Sequence, residues 1–249
     1  MTETIYILWL RQVKKYFRSR SRIVGSLGQP LLFLVAFGFG FGSIYAKAGN
    51  GNYIQFLAPG IILMSVLFTA IFSGIDLIWD RQFGFLKETM VAPVSRLSII
   101  LGKTLGGATV AAIQGLIVFG LTLIIGFRPT DWLMMPMALV FVFIVSLLFT
   151  SLGVAIASIL EDMQGFQLIM NFLVMPIFFL SGALFPLQGI PKAIEMIARI
   201  DPMSYGIDGL RGALIGLSSF GIVNDLVILT LITAVILWIG TRLFDRIEA

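Results

Sequence analysis

The sequence predicts an all-α membrane protein with six transmembrane helices, and three observations carry that prediction. Six apolar runs each approach or exceed the ~20 residues needed to cross ~30 Å of hydrocarbon. Of the 249 residues, 58% are hydrophobic and only 12% charged, whereas soluble domains carry about 25% charged residues. The amphipathic stretches between or before these runs repeat at helical spacing rather than alternating as half-buried strands do.

The first element spans Thr2 to Arg22, where Ile5, Leu8, Trp9, Val13, Tyr16 and Phe17 recur at helical spacing and Arg11, Lys14, Lys15 and Arg18 lie elsewhere. Such a helix is expected in the membrane surface, with Trp9 and Tyr16 at headgroup depth. The spans follow at Val24 to Tyr45, Ile54 to Trp79, Thr104 to Gly126, Leu133 to Leu160, Phe166 to Leu187 and Ile222 to Leu243. Together these form one transmembrane domain over 1–249: a surface helix at 2–22, spans one to five at 24–187, an outer re-entrant segment at 188–221 and span six at 222–243.

Six crossings place both termini on one side. Of the 17 Lys and Arg residues, 12 fall on the side of the termini and 5 on the other. The positive-inside rule then predicts a multi-pass protein of the cytoplasmic membrane with both ends in the cytoplasm. The net charge of +4 and isoelectric point near 9.6 are thereby explained without a nucleic-acid partner.

Between spans two and three lies a polar island, Asp80 to Arg96. A Lys, Arg or Asp at mid-helix costs roughly 2.5–3.5 kcal/mol on insertion scales, so this stretch is expected in water. Gly84 opens a short helix-compatible run and Pro93 closes it, because proline lacks an N–H and drives Ala92 out of the α region. The outer segment from Gln188 to Gly221 reads as a helical hairpin at the outer leaflet or dipping into it. Ile190, Ile194 and Ile197 mark one face opposite Lys192, Glu195 and Arg199. Asp201 and Pro202 then supply an N-cap and N1 proline for a second helix. There Ile207, Leu210 and Leu214 share a face, and Asp208 and Arg211 have the spacing of an i, i+3 ion pair.

Glycines inside the spans, including Gly38, Gly40, Gly42, Gly102, Gly106, Gly107 and Gly115, are expected to let helices pack closely. The run Gly38-Phe39-Gly40-Phe41-Gly42 is no dinucleotide fingerprint, since it lies within an apolar span. The chain contains neither Cys nor His, which excludes disulfides, thiolate nucleophiles and the usual zinc ligand sets. Gly102-Lys103-Thr104 has the tail of a P-loop, but Leu97 stands where the leading glycine is required, so ATP phosphates are not held by that device. Lys103 reads instead as a base at the inner mouth of span three, reaching back to the headgroups. Ala46-Lys47-Ala48 imitates a signal-peptidase site, yet the apolar run before it is too long for a signal peptide. Ionisable groups are scarce at the membrane midplane: Asp76 is one turn from the inner end of span two, and Asp225 is one turn inside the outer end of span six, suited to the positive end of a helix dipole. Ion-coupled transport and embedded enzymes lose ground accordingly, and no catalytic residue, metal ligand or cofactor is assigned.

Several motifs in order resemble those of type-2 permeases of ATP-binding-cassette exporters, particularly the daunorubicin-resistance branch. They are Tyr53-Ile54-Gln55-Phe56-Leu57-Ala58-Pro59-Gly60; Trp79 to Glu88; Ala92-Pro93-Val94-Ser95-Arg96; Leu101-Gly102-Lys103; Leu180 to Pro186; and Asp201 to Arg211. The resemblance covers nearly the whole chain. It implies that the N-terminal helix is an interface helix, bearing Trp9, Arg11, Lys14 and Tyr16. It implies that Gly84 to Met90 is a cytoplasmic coupling helix seated in an ATPase subunit. It also implies two permease chains, two ATPase chains that bind ATP and Mg, and an outer exit shaped by Asp201, Pro202, Tyr205, Asp208 and Arg211.

On that reading Phe83, Phe85, Leu86 and Met90 form an apolar knob, while Arg81, Lys87 and Glu88 fix its register beside Gly84 and Thr89. For cargo, Phe68, Phe72, Asn171, Met175, Phe178 and Phe179 offer polarisable surface with one amide anchor, suited to an amphipathic or hydrophobic molecule such as a drug, a lipid or a lipid-linked glycan. Two other classes stand beside this: a polytopic scaffold without a transport cycle, and an ion-coupled carrier, whose transport would respond to ionophores rather than to loss of ATP.

Overall fold

The computed structural model describes residues 2–47, 51–91, 93–187 and 189–245. Ala48 of the signal-peptidase-like triplet, Ala92 before Pro93, Gln188 at the start of the outer segment and Arg246 of the basic tail lie outside the described residues. Among those described the secondary structure is helical, with no strand.

Helix α1 (Thr2–Arg18) stops at Ser19, and α2 (Arg20–Gly40) forms the first span, followed by the short α3 (Gly42–Lys47). The second span is α4 (Tyr53–Phe72) continued after a break by α5 (Ile75–Gln82). Asn52 begins it by accepting from the Ile54 N–H at 2.9 Å, the N-cap geometry that satisfies an orphan donor. Helix α6 (Phe85–Val91) is the short helix of the polar island, and α7 (Arg96–Ile125) is the third span. Helix α8 (Met135–Ile159), entered through a 3-10 turn at Trp132–Met134, α9 (Met163–Leu180) and α12 (Ile222–Phe244) are the remaining spans, with α10 (Lys192–Ile200) and α11 (Pro202–Ile215) between the last two. Six helical segments are thus long and apolar enough to cross a membrane, in the order predicted.

Lipid is as apolar as the interior of the bundle, so close packing rather than apolarity sets the layering. The α4–α5 segment is 72% buried over its most apolar window and α8 61%, whereas α2 and α12 are each 17% buried and α9 is 22%. Helices α4 and α8 therefore form the centre, α7 flanks them, and α2, α9 and α12 present broad apolar faces outward. The second and third spans, each 30 residues, extend about 45 Å at 1.5 Å per residue, more than ~30 Å of hydrocarbon requires. Their shared inner end is the end from which α6 projects.

The glycine expectation holds along α7. A Cβ at Gly102 would come within 2.8 Å of Leu8 Cβ, and one at Gly106 within 2.7 Å of Gln12 Cβ. The bare backbone therefore makes the groove in which α1 lies, parallel to α7. Gly40 and Gly42, by contrast, have open space beside them.

The expected helical pair is present, and its two helices are placed differently. Only Ala198 of α10 is buried, and Ile197 and Ile200 of its apolar face stand exposed. Helix α11 is enclosed nearly all round, with Ile207, Leu210 and Leu214 each 1% exposed. Gly206 sits against Val145 of α8 and Leu63 of α4, and Leu63 lies about 15 Å along α4 from Tyr53. The reason is steric: Gly206 and Gly209 present no side chain, so α11 inserts between α4, α8 and α12 instead of resting on them.

Candidate functional site

Two clusters of polar side chains occupy opposite ends of the bundle. At the end that carries α6, predicted to be the inner one, Asp80 on α5 accepts a bidentate pair from Arg11, at 2.8 and 3.0 Å, and a further bond from Lys103 Nζ of α7. One turn away, Lys15 Nζ donates to Asp76 at 2.7 Å. Helix α1 is also fastened to α7 by Trp9 Nε1 donating to Thr109 at 2.9 Å and by Tyr16 Oη donating to Gln114 at 2.5 Å. The hydrogen bond to Asp80 holds the Arg11 guanidinium above its ordinary pKa despite the opposing effect of burial, and burial raises that of the Tyr16 phenol.

These contacts correct three sequence expectations. Asp80 does not stand in water: it is 6% exposed, because two cations neutralise it. Lys103 does not reach the headgroups; it is 4% exposed and paired with Asp80. Tyr16 does not face headgroups either, since its hydroxyl is used inside the bundle. Lys14 alone of the four interface-helix residues is exposed; Trp9 and Arg11 are half-buried.

Helix α6 hangs from this cluster. Gly84 joins it to α5 with φ +80°, a left-handed conformation that side chains other than glycine's disfavour. The Arg11 guanidinium lies 3.7 Å from the centre of the Phe85 ring, a cation–π contact. Leu86 is buried and Met90 packs against the core, while Thr89 Oγ1 bonds back to the Phe85 carbonyl. The four-residue knob is therefore divided: Phe85, Leu86 and Met90 anchor α6 to its own chain, and Phe83, 78% exposed, faces outward with Lys87, Glu88 and Val91. Arg81 is engaged within the chain, donating to Glu161 of the α8–α9 turn at 3.2 Å.

The six residues considered as a cargo lining do not form one surface. Phe68 and Phe72 stack on each other and, with Arg22, Gln29 and Ser65, line a cavity of about 200 Å³ between α2 and α4. Phe178 is buried against Phe33. Asn171 and Met175 are exposed on the outer face of α9, and Phe179 lies further along at an apolar pocket near the outer end.

At that outer end the predicted cap is observed: Asp201 accepts from the Met203 N–H at 2.9 Å and Pro202 occupies the first helical position. Its other carboxylate oxygen is buried without a partner, and burial pushes its pKa up to about 7. Tyr205 donates to the Arg199 carbonyl at 2.5 Å, joining α11 to α10. The expected Asp208–Arg211 ion pair does not form. Asp208 instead accepts from the Ser218 hydroxyl and the Ser219 and Phe220 N–H groups at 2.8–2.9 Å, while Arg211 donates to the carbonyls of Phe56 and Gly182 at 3.3 and 3.1 Å. One turn of helix separates them, and each finds backbone partners on a different side. Burial pulls the Arg211 pKa down to about 10, which leaves it charged at neutral pH.

The geometry also explains the placement of the motifs. Tyr53 Oη donates to the Leu184 carbonyl at 2.6 Å, so the segments around Tyr53, Ser181 and Arg211 converge at one end of the bundle, as those around Asp80 and Lys103 converge at the other. Sequence reasoning missed the α1–α5 pairing, although Arg11 and Lys15 share the four-residue spacing of Asp76 and Asp80. That spacing puts each pair on one helical face.

Comparison with known proteins agrees with this arrangement. The family model described as ABC-2 type transporter matches residues 3–215. Nodulation protein J of Rhizobium leguminosarum bv. trifolii is 30% identical over 213 residues, covering 85% of this chain and 78% of that protein. The putative transport permease ycf38 of Pyropia yezoensis is 32% identical over 217 residues, 85% and 74% of the two chains. The inner membrane transport permease YadH of Escherichia coli (strain K12) is 24% identical over 242 residues, 96% and 93%. A match over most of the chain, on a bundle with six crossing helices, makes the conclusion direct: this protein belongs to the ABC-2 type transporter family.

Proposed function

We propose that this chain is the membrane-spanning subunit of an ATP-driven exporter, moving an amphipathic or hydrophobic molecule out of the cytoplasm or inner leaflet. Work enters from a separate ATP-binding-cassette ATPase seated on α6, and that ATPase binds ATP and Mg. The observation that carries the reading is the exposed row Phe83, Lys87, Glu88 and Val91, on and just before a helix whose other face is held by Arg11 over Phe85 and by the burial of Leu86. A helix gripped on one side and bare on the other passes a push to its support. Here the support is the α4–α5 segment, broken only at Ser73 and Gly74, and α7, which run to the outer cluster.

In this reading α1 is the interface helix, and α10 and α11 shape the exit. Both termini lie in the cytoplasm, and the membrane is the inner one, as the name of the YadH relative has it for that protein. The apolar outer faces of α2, α9 and α12 meet lipid and a second copy of the chain, giving a homodimer with two ATPase subunits. A neutral scaffold would have no use for the bare strip. Reversing charge at Lys87→Glu and Glu88→Lys is expected to leave insertion intact while ATP hydrolysis no longer drives transport in reconstituted vesicles. Coupling unchanged by both reversals contradicts the assignment.

A further inference from the structure

We propose that the outer end of the bundle holds a seat for an anionic amphiphile, with Arg211 receiving a phosphate or carboxylate head and the aromatic pocket beside it receiving a hydrocarbon chain. This rests on the exporter reading and deepens it, by naming the charge of the cargo and the place it passes last.

Two cavities meet there. One, of about 310 Å³, is lined by Arg211, Ser204, Ser218, Tyr45 and Pro186; its volume suits a small-molecule site, and polar and apolar groups share its walls about equally. The other, of about 460 Å³, is lined by Phe37, Phe41, Phe179 and Phe185 and again by Tyr45 and Pro186. Tyr45 and Pro186 line both, so a polar chamber lies beside an apolar one, an arrangement that suits the two halves of an amphiphile. Arg211 is 9% exposed and stacked 3.9 Å over the Phe56 ring. Its Nε is buried without a partner, as is the Ser204 hydroxyl. Its two bonds go to carbonyls, which are neutral, so no carboxylate touches it among the described residues.

A buried guanidinium without an anion is costly, and a bidentate oxyanion is its natural complement. Asp208 lines the same chamber and opposes an anion. Its oxygens, however, are turned to the donors of residues 218–220 and do not take up the Arg211 Nε, which has no partner. The inner cavity repeats the pattern: Arg22 stands beside Phe68 and Phe72, so one cation among aromatic rings occurs at both ends of α4.

The test is equilibrium binding of dodecyl phosphate to the purified full chain in nanodiscs of neutral lipid, with dodecyl maltoside, dodecyltrimethylammonium and inorganic phosphate as comparison ligands. Dodecyl phosphate is expected to bind at least tenfold more tightly than any of these, and Arg211→Gln to remove that preference. Leu217 is 60% exposed at the chamber rim, so Leu217→Glu is expected to weaken dodecyl phosphate several-fold and Leu217→Lys to strengthen it, with no demand on folding of the interior. Equal binding of the neutral amphiphile, or indifference to both Leu217 variants, overturns the proposal. Inorganic phosphate binding as tightly overturns the amphiphile, and displacement by phosphatidylglycerol at equal mole fraction overturns the seat as one for cargo. Because no ATPase is present, failure here leaves the α6 reading standing, and the charge reversals at Lys87 and Glu88 leave this one untouched.

Discussion

Asp80 answers to two cations from two helices, and Asp201 to none, and this difference sets how each behaves with pH and substitution. For Asp201 the folded protein holds the proton up to about pH 7, whereas the unfolded chain releases it near pH 3.8. Its contribution is therefore fully present below pH 3.8 and lost as pH rises through 7. Melting temperature in detergent is expected to fall between about pH 4 and pH 7 in the native protein. In Asp201→Asn, which keeps an oxygen for the Met203 N–H but cannot ionise, that part of the slope is expected to vanish. Asp201→Ala loses the cap itself, at about 1 kcal/mol. An unaltered pH slope in Asp201→Asn counts against the buried neutral acid. The Asp201–Pro202 cap was readable from two adjacent letters, because capping is local. The burial of its second oxygen was not, because that depends on helices far away in sequence.

At the scale of elements, the attachment of α1 to the inner ends of α5 and α7 is held by charge and by close approach together. Removing one member of a buried ion cluster leaves the others uncompensated, at about 3–5 kcal/mol, whereas replacing the group by apolar residues can be nearly neutral. Asp80→Leu is thus expected to lower thermal stability sharply. Adding Lys103→Met is expected to restore part of it, a non-additivity measurable in a double-mutant cycle; simple additivity contradicts direct coupling. Gly102→Leu overfills the groove under Leu8 and is expected to cost about 1–3 kcal/mol, whereas the same change at Gly40, which faces open space, is expected to cost little. Periodicity foretold α1 and its apolar stripe, since Leu8 and Tyr16 are buried. It did not reveal whether the stripe meets lipid or protein, because both are apolar. The Asp208–Arg211 ion pair was expected from local spacing and does not form, because the carbonyls and donors that engage each of them come from other segments.

For the whole molecule, apolar length alone was enough to give six crossings and their order, because hydrocarbon thickness imposes the same minimum on every span. Which spans lie at the centre was not legible, since α12 is as apolar as the α4–α5 segment yet lies at the edge, and the residues considered as a cargo lining were scattered by packing that no single helix determines. What unites the molecule is the pair of polar clusters joined by α4–α5 and α7, the inner one carrying α6 and the outer one enclosing Arg211. Movement imposed on α6 is expected to be felt outside, so a fluorophore at Leu217 should change its emission when ATP is added to the assembled transporter. No change with active ATPase contradicts transmission along these helices.

The most direct test of α6 as the seat of a separate ATPase exploits the absence of cysteine from the chain. Single cysteines at Phe83, Lys87 and Leu217 are cross-linked in native membranes. Cysteine at Phe83 or Lys87 is predicted to join covalently to an ATP-binding-cassette ATPase and to be labelled only from the cytoplasmic side, and cysteine at Leu217 to do neither. Labelling of Lys87→Cys from outside, or no ATPase captured from either α6 position, contradicts the account.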